Sequence, residues 1–227
     1  MVTADVQENR LLIRFPVKAD EQNLKQLHDD LQSCIGDLSS GFQAVADMSQ
    51  CNVVFLCGLE IIKKMMDCLV SNRVGEVVSV NDDCKVSYKQ ISRFMESIQC
   101  YKTFDTTSLE EAEQKLNSFT SRNGIRFKLN RPAVKFRVGD EPVVRGHVVD
   151  ISISGCAIET DVATPSVGDE LVVTVYFEEG PNLISSFEVP AEVVRTDDRR
   201  FAVKFLNVAG EYQEQLYERL THESGQA

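Results

Sequence analysis

The hydrophobic period changes once along this chain, near residue 120, and that change restricts the fold more than any other feature. Before it, short β-type runs alternate with apolar stripes at helical spacing; after it, only short β-type runs remain until a terminal helix. In the first half, residues 10–17 (RLLIRFPV) read as a strand, followed by Leu24, Leu27, Leu31, Ile35 and Leu38 on one helical face. Residues 42–48 form a second strand, and Leu59, Ile62, Met65, Met66 and Leu69 a second stripe. A third strand over 76–80 precedes a third stripe of Ile91, Phe94, Met95 and Ile98. Ser108 and Glu111 make a capping box ahead of a last helix carrying Ala112, Leu116 and Phe119. This is an α/β pattern, with helices packed on a small sheet.

In the second half, runs at 134–138, 147–151, 156–159, 171–177, 185–194 and 201–205 are separated by Gly, Pro, Asp or Ser. Six short strands at that spacing predict a small antiparallel barrel. Residues 211–222 read as a closing helix with Tyr212, Leu216 and Leu220 on one stripe. The expected organisation is an α/β domain over 1–119, a basic linker over 120–131 and a barrel with its helix over 132–227. A chain of 227 residues with 43% hydrophobic and 26% charged residues has room for two such packed cores.

The formal net charge of −11 excludes a nucleic-acid binder that neutralises phosphates over a broad face, so any anionic ligand must use a local basic patch. One exists: residues 122–137 hold Arg122, Arg126, Lys128, Arg131, Lys135 and Arg137 with no acid among them. No apolar run has the length of a membrane span, and the first residues lack the regions of a signal peptide, so a cytoplasmic protein is expected. The seven cysteines, odd in number and with six in the first half, read as reduced thiols. Cys51 and Cys57 have no CxxC partner or neighbouring histidine, so neither a metal nor a cofactor is expected. Without a Ser, His and Asp constellation or a carboxylate pair, no catalytic residue is assigned and the chain does not read as an enzyme.

Two motifs in the second half coincide. Arg122 and Arg126 form an RxxxR pair, and Asp150, Ser152 and Gly155 form a DxSxxG element (DISISG). In this order and in a β-rich segment, they resemble the PilZ domain, the bacterial cyclic di-GMP receptor module, as do Pro132 and the late run 203–205. The resemblance implies cyclic di-GMP as ligand and these five residues as its site. Arginine forks suit phosphate oxygens or guanine O6 and N7, and a carboxylate suits the guanine N1 and N2 donors. Gly155 is expected to leave room for a base to stack. The alternative is that Asp150 and Ser152 only satisfy a turn's own backbone, leaving a structural adaptor that binds no nucleotide. Residues 118–131, polar and with little apolar area, are expected to be mobile until ligand orders them.

The stretch 47–59 (DMSQCNVVFLCGL) resembles the STAS domain of sulfate transporters and anti-sigma-factor antagonists, and 104–112 resembles that family's last turn and helix. Leu56 stands where antagonists of that family carry a phosphorylatable serine, so the phosphoswitch does not carry over. The resemblance implies a domain that contacts an unidentified protein partner.

Overall fold

The computed structural model describes residues 1–81, 101–118, 124–130, 132–139, 141–179 and 182–225. The third helical stripe, Ile91 to Ile98, lies outside them, as does Arg122. The chain divides into two compact units, Met1–Ile125 and Arg126–Ala227.

The first unit is built on a five-stranded sheet. Its strands are β1 (Val2–Asp5), β2 (Arg10–Arg14), β4 (Gln43–Asp47), β6 (Glu76–Val80) and β7 (Phe104–Thr106), in the order β1-β2-β4-β6-β7. Only β1 runs antiparallel to its neighbour; the other pairs are parallel. A separate parallel pair joins β3 (Lys18–Ala19) to β5 (Val53–Val54). The strand expected over 10–17 therefore stops at Arg14. The chain bends at Phe15, whose N–H donates to the carbonyl of Asp47, and resumes as β3. Strand β1, half exposed along its length, has no apolar run to announce it.

The helices follow the stripes. Helix α1 (Glu21–Ile35) buries Leu24, Leu27, Leu31 and Ile35, and Asp20 caps it by accepting from the Asn23 N–H. Leu38 falls beyond its end and is half-buried. Helix α2 (Leu59–Ser71) buries Ile61, Ile62, Met65, Met66, Leu69 and Val70. At its entrance Gly58 approaches α1 so closely that a Cβ would lie 2.3 Å from the Leu24 Cδ1. Helix α3 (Leu109–Ser118) packs Ala112 and Leu116 on Val45, Val78 and Val80 of the central strands. The Ser108 hydroxyl accepts from the Glu111 N–H as expected, but the Glu111 carboxylate reaches one residue further back, to the N–H and hydroxyl of Thr107.

The second unit is a closed barrel of six antiparallel strands. They are β8 (Ala133–Val138), β9 (Val144–Ser152), β10 (Gly155–Glu159), β11 (Glu170–Glu179), β12 (Asn182–Thr196) and β13 (Arg200–Phe205), in the order β10-β13-β12-β11-β8-β9. Closure leaves no sheet edge unpaired over its full length. Alternate residues fill the interior, where Phe136 meets Phe201 edge-on with ring centroids 4.9 Å apart. Helix α4 (Gly210–Gly225) buries Leu216, Tyr217 and Leu220, stacks Tyr212 on Phe187 and sets Arg219 over the Phe177 ring.

The fold sorts the described cysteines. Cys57 is exposed beside α2, whereas Cys51 and Cys156 are buried, and burial pushes the Cys156 thiol far above the ordinary value, with the nearby Asp150 charge adding to the effect. A brief iodoacetamide pulse on the folded protein should modify Cys57 and leave Cys51 and Cys156 intact, as read by peptide mass spectrometry.

Candidate ligand site on the barrel

The site is set by strand parity. Along β9, Val148 faces the interior opposite Ile158, and His147 faces outward opposite Glu159. Simple alternation would then turn Asp150 inward with Val148. It does not, because Val149 is an extra residue: Ile158 pairs with Val148 while Ala157 pairs with Asp150. This β-bulge re-aims the strand, so that Asp150 and Ser152 both stand on the outer face and Ile151 enters the core.

The segment before the barrel supplies the arginine. Strand β8 pairs with β9 only as far as Ala133 opposite His147, and beyond that point the preceding chain takes over the edge of β9. The Val148 N–H donates to the Pro132 carbonyl at 3.0 Å. Phe127 and Ile151 exchange two backbone hydrogen bonds, of 2.7 and 3.2 Å. That antiparallel bridge puts Phe127 on the core side, fully buried and edge-on to Tyr217 of α4 at 5.6 Å. Its neighbour Arg126 is thereby directed outward, where Nη1 donates to the Asp150 Oδ1 at 3.1 Å. The expectation of little apolar area before the barrel is corrected here: Ile125 and Phe127 are both buried. A large aromatic residue inside a basic run was the signal of this anchor.

Asp150 is only 2% exposed, so Arg126 is a partner to a buried carboxylate. Gly155 is required by the barrel itself: a Cβ there would lie 2.2 Å from the Val203 carbonyl oxygen of β13, a backbone group that cannot give way cheaply. Ser152, also buried, closes the β9–β10 hairpin by donating to the Gly155 carbonyl at 3.2 Å and accepting from the Ser154 N–H at 3.3 Å. The structure thus brings Arg126, Asp150, Ser152 and Gly155 to one outer corner; Arg122 lies outside the described residues. His147, on the same face, is exposed. Among the described residues no cluster of His, Cys, Asp or Glu has the makings of a metal site, and no helix is long and apolar enough to cross a membrane.

The described residues thus form a closed antiparallel six-stranded barrel followed by a helix, with an arginine–carboxylate pair on its outer face. The family model of the PilZ domain matches residues 120–222, and the C-terminal part of this chain is a PilZ domain. No curated protein matches the chain in sequence. Among solved structures it is similar to the PilZ domain with c-di-GMP of YcgR from Escherichia coli, at 16% identity over 44% of this chain and 89% of that one, with a TM-score of 0.40. It is also similar to the inhibitor of motility MotI/DgrA of Bacillus subtilis, at 18% identity over 46% of this chain and 51% of that one, with a TM-score of 0.38. The PlzA protein of Borreliella burgdorferi in complex with c-di-GMP matches at 14% identity over 61% of this chain and 57% of that one, with a TM-score of 0.29. The chain therefore spans little more than half the length of the latter two.

Removing Arg126 would take one charge-assisted hydrogen bond from the buried Asp150 carboxylate, a loss of about 1.5–3 kcal/mol. Arg126→Ala should therefore lower the urea midpoint of the barrel, and Asp150→Asn added to it should recover most of the loss. A double-mutant cycle by equilibrium unfolding reads the coupling.

Proposed function

We propose that this protein is a cyclic di-GMP receptor of the cytoplasm, a two-domain effector whose output is a protein contact. Arg122 and Arg126 supply forks for the phosphates or for guanine O6 and N7, Asp150 accepts from guanine N1 and N2, and Ser152 adds a hydrogen bond. Gly155 keeps the hairpin low and tight beneath them. The observation that carries this reading is the Arg126–Asp150 pair on the outer face, held by the Phe127 bridge inside the stretch matched by the PilZ domain. The role of Arg122 rests on the motif alone. On binding, Arg126 turns from the carboxylate toward the ligand and leaves Asp150 to a guanine edge, so one charge-assisted contact replaces another.

The first unit acts as a STAS-like partner module without a phosphoserine. Leu56, at the position of that residue, is 85% exposed and offers no nucleophilic oxygen. Bound dinucleotide fixes one relative placement of the two units, and a protein partner reads that placement.

One observation favours a second reading, a PilZ adaptor that binds no nucleotide. Arg126 already satisfies Asp150, and Ser152 already satisfies its own hairpin, so the corner is closed without a ligand. Calorimetric titration with cyclic di-GMP separates the two. The receptor reading predicts saturable binding, weakened tenfold or more by Arg126→Lys, which keeps a charge beside Asp150 but removes a fork worth about 1–3 kcal/mol at a guanine edge. Absence of binding heat with the unaltered protein, at any temperature tried, selects the adaptor.

A further inference from the structure

At the other end of β9 the outer face of the barrel opens into a cleft of about 770 Å³, within the size range of small-molecule sites. Lys135 of β8, Arg145 and His147 of β9, Tyr176 of β11 and Arg199 line it, and none of Arg126, Asp150, Ser152 or Gly155 does. Arg145 and Asp150 are five positions apart on one strand, roughly 16 Å at the usual rise. We propose that this cleft is a second anion site, separate from the Arg126–Asp150 corner, and that it takes a small phosphorylated ligand.

The cations converge there against their own repulsion. Lys135 and Arg145 are direct cross-strand partners, a juxtaposition of like charges that destabilises a sheet unless something is gained by it. Among the described residues no carboxylate lies within ion-pair distance of Lys135, Arg145 or Arg199. Two acids line the cleft as well: Glu159, held by the Arg200 guanidinium at 2.9 and 3.1 Å, which offsets its charge, and Asp161, which is exposed. The Thr160 hydroxyl donates to the Arg145 carbonyl at 3.2 Å, which fixes the backbone from which that side chain leaves. Lys135 keeps its ammonium 4.9 Å from the centre of the Tyr176 ring, a cation–π contact that holds the charge over the cleft. In a chain of net charge −11, a concave surface that gathers three cations concentrates positive potential where the rest of the molecule repels anions. Two arginine forks and an ammonium are the donor set of a phosphate or pyrophosphate group.

The test is titration of the full-length protein with inorganic pyrophosphate, followed by amide NMR, with cyclic di-GMP titrated in parallel. Saturable shifts centred on Lys135, Arg145, His147 and Arg199 are expected. They should weaken at least tenfold in R145E/R199E, or in the gentler R145Q/R199Q if the reversal impairs folding, while cyclic di-GMP binding changes less than twofold. Pyrophosphate binding with no response to cyclic di-GMP would leave the cleft standing and remove only the receptor reading. Absence of shifts at millimolar pyrophosphate, or equal binding by the substituted proteins, overturns the proposal. Loss of cyclic di-GMP binding in the folded cleft variants also overturns it, since the cleft would then be part of the dinucleotide site.

Discussion

The reciprocal backbone bridge between Phe127 and Ile151 is the interaction on which the candidate site depends. It occupies the stretch of β9 that β8 leaves unpaired, and so satisfies polar backbone groups there. The register of that bridge decides everything outside it. Because neighbours in an extended chain face opposite sides, burying Phe127 against Tyr217 directs Arg126 to the surface beside Asp150. A single residue of slip would bury the arginine and expose the phenylalanine. Packing energy in the core therefore fixes the placement of a charged group on the surface.

The charge pair has a different logic. A carboxylate as buried as Asp150 is costly unless paired, and Arg126 is an ion-pair partner for it. The pair consequently holds this corner in order, and the ligand proposed for it would have to compete with that pair. Ser152 repeats this on a smaller scale by bonding within its own hairpin. Sites preorganised by their own residues lose less on binding than sites ordered from a mobile chain.

In the first unit a comparable arrangement serves structure. Asp47, almost fully buried at the end of β4, accepts from Arg14 Nε and from both the N–H and the hydroxyl of Ser49, which closes the strand into its turn. The chain then passes through exposed Val53, Phe55 and Leu56 into α2, whose first turn is anchored by Gly58 against Leu24. The apolar residues at this entrance leave it without the hydroxyl chemistry that the STAS resemblance would otherwise imply.

The sequence by itself determined the α/β character of the first half, the six barrel strands, the terminal helix and the basic motif segment, because each rests on a local signal: hydrophobic period, turn residues, or a short spacing of charges. It also named Arg126, Asp150, Ser152 and Gly155. Only the tertiary structure decided what those residues touch. The bulge at Val149 reverses the face of Asp150, and no composition rule marks which residue of a Val-Val pair is the extra one. The crowding at Gly155 comes from Val203, on a strand far along the chain, and Phe127 reads as part of a polar linker until β9 offers it a partner. The cleft of Lys135, Arg145, Tyr176 and Arg199 gathers residues from three strands and the turn before β13, which the barrel fold brings together. Local signals fix which elements form; pairing between distant segments fixes which side chains meet, and that information lies in the register.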